Sequence, residues 1–298
     1  MKNRYNSFSS FLKEKFSGIK VRKIPVNAGF QCPNKNGDIS NKGCIFCDAY
    51  GSGPIRSFRL SIREQIENYI RKHKGDKFIA YYQAHSNTYA QLGELEEKYR
   101  IIFDYEDIVG FFIGTRPDSI KDEVYPLLDR INNKTYLTIE LGLQSIHEKS
   151  LIFLNRNHTY EKFLETFFKL KKMDVDVLVH LIVGIPGESR EDMKATVREM
   201  NRIKPAGVKF HLLHALKNTY LNELYGRGEI PLMEMDDYIE TIVELVGGLD
   251  PDIVIHRLTG ERDKEIFVAP QWALNKNKVI NSINKRMEEL DLFQGKYY

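Results

Sequence analysis

Apolar positions along this chain alternate between two rhythms. Short β-branched and aromatic runs are followed by stretches whose apolar residues recur three or four apart, the signatures of buried strands and amphipathic helices. The strand-like runs are 21–28 (VRKIPVNA), 77–83 (KFIAYYQ), 107–114 (DIVGFFIG), 135–143 (TYLTIELGL), 176–184 (DVLVHLIVG), 207–214 (GVKFHLLH) and 252–258 (DIVIHRL). Helical faces lie between them. Ser61 and Glu64 form a capping-box pattern before Ile62, Ile66, Tyr69 and Ile70. Leu92, Leu95 and Tyr99 mark a second helix, and Pro117 opens a third with Ile120, Val124, Leu127 and Leu128 on one face. Phe163, Phe167 and Leu170 fall in a helix over 160–173, Ser189 caps one bearing Met193, Val197, Met200 and Ile203, and another covers 238–246.

Seven such strands alternating with helices specify βαβ units and a parallel sheet. Right-handed crossovers leave an open doubly wound sheet or a full or partial (β/α) barrel, and the repeat count favours the barrel. Phe8, Leu12 and Phe16 predict a short N-terminal helix, and 275–292 a last amphipathic one. No Pro/Gly/Ser-rich linker divides the chain. The expectation is a single α/β domain over 1–298, with a core at 20–260 and extensions at 1–20 and 261–298.

Composition narrows the picture only slightly. The 298 residues are 42% hydrophobic, ordinary for a protein with a sizeable core. A net charge of +3 permits a polyanionic partner such as RNA without arguing for one. No apolar stretch has membrane-spanning length and the N-terminus lacks a secretory h-region, so a cytoplasmic protein without a membrane partner is expected.

The candidate chemistry lies after the first strand. Cys32, Cys44 and Cys47 are the only cysteines and sit together as C-x11-C-x2-C. Thiolates are the soft ligands of iron–sulfur clusters, and three of them would leave one iron of a [4Fe–4S] cubane open to a small molecule. Zinc is a second reading, although structural zinc takes four ligands and the nearest histidine, His85, is distant in sequence. Plain thiols are a third. Ligand-binding residues of parallel α/β sheets gather at the C-terminal strand ends, and every strand here ends in polar residues. These include His85 and Asn87, Arg116, Gln144 and Ser145, His211 and His214, and His256 and Arg257. Each alone also reads as a capping or core residue.

Four features together resemble the radical S-adenosylmethionine (SAM) enzymes. They are the cysteine motif with Phe46 before its last cysteine, ELGLQS (140–145) with NRNHT (155–159), HLIVGIPGE (180–188), and the βα repeat. The long first cysteine gap, in place of the common C-x3-C-x2-C, is similar to the radical domain of the elongator catalytic subunit. The second feature is shared with that branch and with the oxygen-independent coproporphyrinogen dehydrogenases. The likeness covers about residues 20–260 and departs at QAHSNT (83–88), where a Gly-Gly-Glu type loop is usual, and at His180, where Gly is usual. No acetyltransferase domain occurs in these residues, so the likeness is to the short stand-alone bacterial proteins of the branch.

The resemblance implies a barrel of the radical SAM type and two cofactors, a [4Fe–4S] cluster on Cys32, Cys44 and Cys47 and SAM on the open iron. It implies reductive cleavage of SAM to a 5′-deoxyadenosyl radical that takes hydrogen from a substrate, with an electron donor such as flavodoxin or ferredoxin. By the same likeness Phe46, His85, Asn87, Glu140, Gln144, Ser145, Arg156, Ile182 and Gly184 would contact SAM. Tyr82, His211, His214, His256 and Arg257 are candidates for the substrate side. The substrate is open between a tRNA base and a small metabolite or cofactor precursor, and a non-catalytic zinc or scaffold barrel is the contrasting possibility.

Overall fold

The computed structural model describes residues 4–298 apart from 52 and 54. Seven strands build its main sheet: β1 (Val21–Val26), β2 (Lys77–Tyr82), β3 (Ile108–Thr115), β4 (Tyr136–Gln144), β5 (Asp176–Val183), β6 (Gly207–Leu212) and β8 (Val254–Arg257). They lie side by side in chain order and every neighbouring pair is parallel. Among the described residues β1 and β8 do not pair, so the sheet curls into a half-barrel. Of the two barrel forms the sequence allows, this is the partial one.

Strand alternation divides the side chains between two faces. Ile24, Val26, Phe78, Ala80, Tyr82, Phe111, Ile113, Leu137 and Ile139 point outward into the main core. They meet Ile66 of α2 (Ile62–Lys72), Leu95 and Tyr99 of α3 (Leu92–Arg100), Phe163 and Phe167 of α6 (Tyr160–Lys171), and Val197 of α7 (Arg190–Ile203). Ile79, Tyr81 and Phe112 point inward instead and join Leu12 of α1 (Phe8–Lys15). That helix plugs the N-terminal end of the half-barrel. Phe8 stacks on His256 with ring centroids 4.0 Å apart, and Ser7 bridges to Ile255.

Cap chemistry set the helix starts as expected. Ser61 and Glu64 close a reciprocal box at α2, and Ser189 with Asp192 does so at α7. The helix predicted from Pro117 is interrupted, becoming 3-10 turns at Pro117–Ser119 and Asp122–Val124 before α4 (Tyr125–Asn132). Pro126 has no N–H to continue a helix from the preceding turn, so α4 begins there. Sequence periodicity also missed two short helices, α5 (Glu148–Phe153) and α8 (Tyr220–Gly226). A run this short carries too few turns to show a period.

The strand predicted over 207–214 stops at Leu212, whose carbonyl accepts a hydrogen bond from the His214 imidazole (2.9 Å). The next residues form β7 (Ala215–Leu216), which pairs antiparallel with β9 (Phe267–Ala269). This small ribbon draws the C-terminal segment back toward the cavity mouth. Beyond it α10 (Lys276–Glu289) packs Val279, Ile283 and Met287 into the core shared with α9 (Met235–Gly247). Among the described residues no helix is long and apolar enough to cross a membrane.

Candidate active site

The loop that follows β1 brings its three cysteines to the C-terminal mouth of the half-barrel, where all three border a cavity of about 540 Å³. Turns fold the loop locally: Lys35 N–H bonds the Cys32 carbonyl (2.9 Å), and Cys47 N–H bonds that of Cys44 (3.0 Å). Ile45 fastens it from outside. Its N–H donates to Leu154 O (3.1 Å), its carbonyl accepts from Leu221 N–H (2.9 Å), and its side chain packs with Leu154, Ile182, Ile185 and Leu213. Gly51 closes the loop at φ +54°, and a Cβ there would lie 2.5 Å from the His85 ring, so only glycine fits.

Cations surround these thiols. Arg156 is buried and donates to Cys44 Sγ (3.2 Å) and to Gly142 O (2.7 Å), while Asn34 Nδ2 also reaches Cys44 Sγ (3.5 Å). Arg116 forks onto Asp118 (2.9 and 2.6 Å) and donates to the Arg156 carbonyl (2.7 Å). Burial pushes the Cys44 thiol up, but the Arg156 and Arg116 charges and the two hydrogen bonds outweigh it and favour thiolate. Burial raises Cys32 and Cys47, the latter partly offset by Lys35. Lys35 spans the loop, donating to the carbonyls of Cys47 (3.3 Å) and Asp48. Asp48 in turn is ion-paired with Arg262, which also donates to Gly53 O (3.0 Å). That clasp ties the C-terminal segment to the cysteine loop.

Deeper in the half-barrel a charged cluster lies on the inner face. The buried Glu140 carboxylate accepts from Lys23 (2.9 Å), His180 Nε2 (2.8 Å) and Lys209. Burial pushes Glu140 up, but Lys209, Lys23 and His180 outweigh it and hold the carboxyl well below its usual range. Lys209 is brought down to about 7, chiefly by burial, against the pull of Glu140. Lys23 sits over the Phe112 and Phe8 rings at 4.0 and 4.6 Å, so the apolar plug carries part of its charge by cation–π contact. The His211 ring lies 5.1 Å from that of His180, and its buried Nε2 has no hydrogen-bond partner. Arg257 borders the cavity beside them.

The cavity gathers most residues singled out by sequence: the three cysteines, Phe46, His85, Glu140, Gln144, Arg156, Ile182, His211, His214 and Arg257. Gln144 does so at φ +81° on a register shift in β4, a strained backbone for a non-glycine residue. Five others lie elsewhere. Tyr82 faces outward, is fully buried and donates to Lys98 O (2.8 Å); the inward residue is its neighbour Tyr81, as strand alternation dictates. His256 is bulged out of register where β6 meets β8 and stacks on Phe8 in the plug. Asn87 is buried behind the mouth, donating to Gly114 O (2.8 Å). Ser145 donates to Glu188 (2.5 Å), bracing the GIPGE loop. Gly184, at φ +85°, turns toward Met233.

Sequence reading placed Arg116 only among the polar strand ends and assigned no site role to Lys35, Lys209, Tyr81 or Arg262 individually. Lys209 had a signal: a lysine inside an apolar parallel strand must find a buried partner, and Glu140 stands in a strand of the same kind. Arg262 lies in the charge-dense block HRLTGERD (256–263), readable as an anion site or a solvated loop, but nothing in it points to its partner Asp48, 214 residues away.

Comparison with known proteins decides the family. The profile of the radical SAM superfamily matches residues 37–200, and that of the radical SAM C-terminal domain matches 205–289. This chain belongs to the radical SAM superfamily. It is 37% identical over 300 residues to the uncharacterized protein YtqA of Bacillus subtilis, covering 99% of this chain and 93% of that one. A 140-residue stretch is 31% identical to the tRNA uridine(34) acetyltransferase of Methanocaldococcus jannaschii, covering 45% of this chain and 25% of that protein. Among solved structures, the Elp3 of Methanocaldococcus infernus superposes with a TM-score of 0.67 at 21% identity, covering 93% of this chain and 65% of that one. It shows the same fold.

The chain is therefore a radical SAM enzyme, and its family works with a [4Fe–4S] cluster, SAM and a reductant. The residues present fit that pair of cofactors. The three thiols border one cavity at the mouth, a soft donor set of the kind an iron–sulfur cluster takes. Among the described residues no group of three Cys, His, Asp or Glu side chains could hold a single metal ion. Buried polar atoms without partners face the same region, Arg116 Nη1, Arg156 Nε and His85 Nδ1. Burial, with Lys35 nearby, lowers His85 to about 4, so it is neutral and has one nitrogen free to accept.

Proposed function

We propose that this enzyme takes hydrogen from a small polar molecule held between the cysteine loop and the Glu140 cluster. One observation carries the reading: three thiols and a set of inward ionisable groups face each other across one cavity. When bound, the cluster on Cys32, Cys44 and Cys47 together with SAM supplies a 5′-deoxyadenosyl radical. This chain's residues do the rest. Arg156 and Asn34 hydrogen-bond a ligating sulfur, which favours the thiolate and tunes the potential of what it binds. Phe46 and Ile182 offer apolar surface for the adenine, and Gln144, His85 and the free Arg116 nitrogen offer polar contacts to the ribose and methionyl ends. Arg262, clasped to Asp48, and the β7–β9 ribbon restrict water at the mouth, where a primary carbon radical must be shielded. A donor such as flavodoxin or ferredoxin would deliver the electron.

A tRNA base is a second reading, supported by the likeness to a tRNA uridine(34) acetyltransferase. It fits a flipped base entering the cavity, while the small net charge argues for a smaller ligand. Anaerobic reconstitution with iron and sulfide tests the shared chemistry. The expected result is a brown protein that converts SAM to methionine and 5′-deoxyadenosine, with conversion lost in Cys32→Ala, Cys44→Ala and Cys47→Ala. A colourless protein holding zinc and leaving SAM intact would overturn it. Transfer RNA and metabolite profiles of cells lacking the gene separate the two substrates.

A further inference from the structure

The inner wall carries more cations than carboxylates. Lys23, Lys209 and Arg257 all approach it, and Glu140 is the one carboxylate among them, already accepting from Lys23, Lys209 and His180. Of the acids at the rim, Glu261 pairs with Lys276 (2.8 Å), Asp48 pairs with Arg262, and Asp263 is exposed to solvent. Arg257 borders the cavity and, among the described residues, makes no hydrogen bond or ion pair. His211 Nε2 beside it is buried and unpartnered. Glu261 interacts with Arg257 through space but spends its hydrogen bond on Lys276, so the half-buried guanidinium makes no direct polar contact among the described residues. The unmade hydrogen bond of buried His211 Nε2 is costly unless something fills it. Gly260 adds room, since a Cβ there would lie 3.6 to 3.8 Å from the His214 and His211 rings.

We propose that this wall is a receptor for an anionic oxygen group of the substrate, a carboxylate or a phosphate, with Arg257 as its charged fork and His211 Nε2–H as a second donor. The inference rests on the reading of this cavity as the substrate chamber. The guanidinium presents two parallel N–H groups that match either anion. His211 stays neutral, because burial and the neighbouring cations hold it well below its ordinary range, so it donates through one nitrogen without adding charge. Glu140 keeps Lys209 and Lys23 from competing for the same oxygen atoms. The substrate thus supplies a further negative charge, and its anionic end fixes which carbon faces the mouth.

Calorimetric titration tests this. Inorganic phosphate and succinate are each titrated into the protein as purified and into the reconstituted protein with saturating SAM. Saturable binding of at least one anion is expected, weakened about tenfold or more in Arg257→Gln and less in Arg257→Lys, which keeps the charge without the fork. Tighter phosphate assigns a phosphoryl group, and tighter succinate a carboxylate. Absence of binding by the unaltered protein, or binding that survives Arg257→Gln, overturns the proposal. Should Arg257→Gln fail to fold, His211→Asn takes its place, with weakened binding supporting and unchanged binding opposing. SAM cleavage is scored on the unaltered protein alone. Anion binding without cleavage would sink the radical reading and leave this receptor standing, and cleavage without anion binding would do the reverse.

Discussion

Glu140 is the residue on which the interior charge balance turns. Its carboxyl is held well below the usual value, so the native state binds its proton less readily than the unfolded chain does. The stabilisation it gives is fully present above the ordinary carboxyl range near pH 4.3 and is lost as pH falls toward the depressed native value. Glu140→Gln leaves Lys23 and Lys209 buried without a counter-charge, which should cost about 3–5 kcal/mol at pH 7. The gap between mutant and parent should narrow as pH falls below about 4 toward the depressed native value, because the unfolded parent takes up a proton that native Glu140 resists. Urea unfolding at several pH values measures both effects; a gap that stays constant with pH would place the stabilisation elsewhere. At this scale the sequence was partly readable. The cysteines, Gln144, His211 and Arg257 reach the cavity because they sit at or near strand ends or on the loop just beyond, and Arg156 reaches it from the turn after α5. Asn87 misled because its loop turns it back onto the Gly114 carbonyl. Tyr82 misled, since one residue of strand phase reverses a side chain's face and phase is set by register, not composition. His256 misled for a similar reason: a bulge against β6 moved it off the expected alternation.

Individual elements were legible where periodicity and caps agreed, as in α2, α6 and α7, whose apolar stripes face the sheet. They were not where pairing is made at long range by few residues, as in β7 and β9. The N-terminal helix shows how an element acquires meaning only in context. Its Phe8, Leu12 and Phe16 spacing predicts an amphipathic helix, yet nothing in that spacing says it fills the end of the half-barrel. Leu12 is buried there against Ile79, Tyr81 and Phe112. Leu12→Ala should therefore cost about 2–3 kcal/mol by thermal or chemical unfolding. A loss below about 0.5 kcal/mol would mean the helix is docked without contributing to the core.

On the scale of the whole molecule, the seven parallel strands and their order follow from the βα rhythm, whereas incomplete closure does not, because no local pattern records whether β1 and β8 meet. The gap leaves the inner face accessible and puts the C-terminal segment in charge of covering it. Arg262 does this through Asp48 and Gly53, reaching back to the loop that carries Cys47. Arg262→Ala should let a thiol reagent label Cys47 several-fold faster by local opening, while global unfolding followed at Trp272 stays within about 1 kcal/mol of the parent. Equal labelling rates would show the clasp to be passive. The same contact also orders events in time. During synthesis the thiols emerge early, but the residue that locks their loop is made 214 positions after its partner, and domains settle as units once their parts are present. Metal loading of a finished site thus waits until Arg262 has been made, and a ribosome-bound fragment ending before Arg262 would carry its cysteines on an unlatched loop.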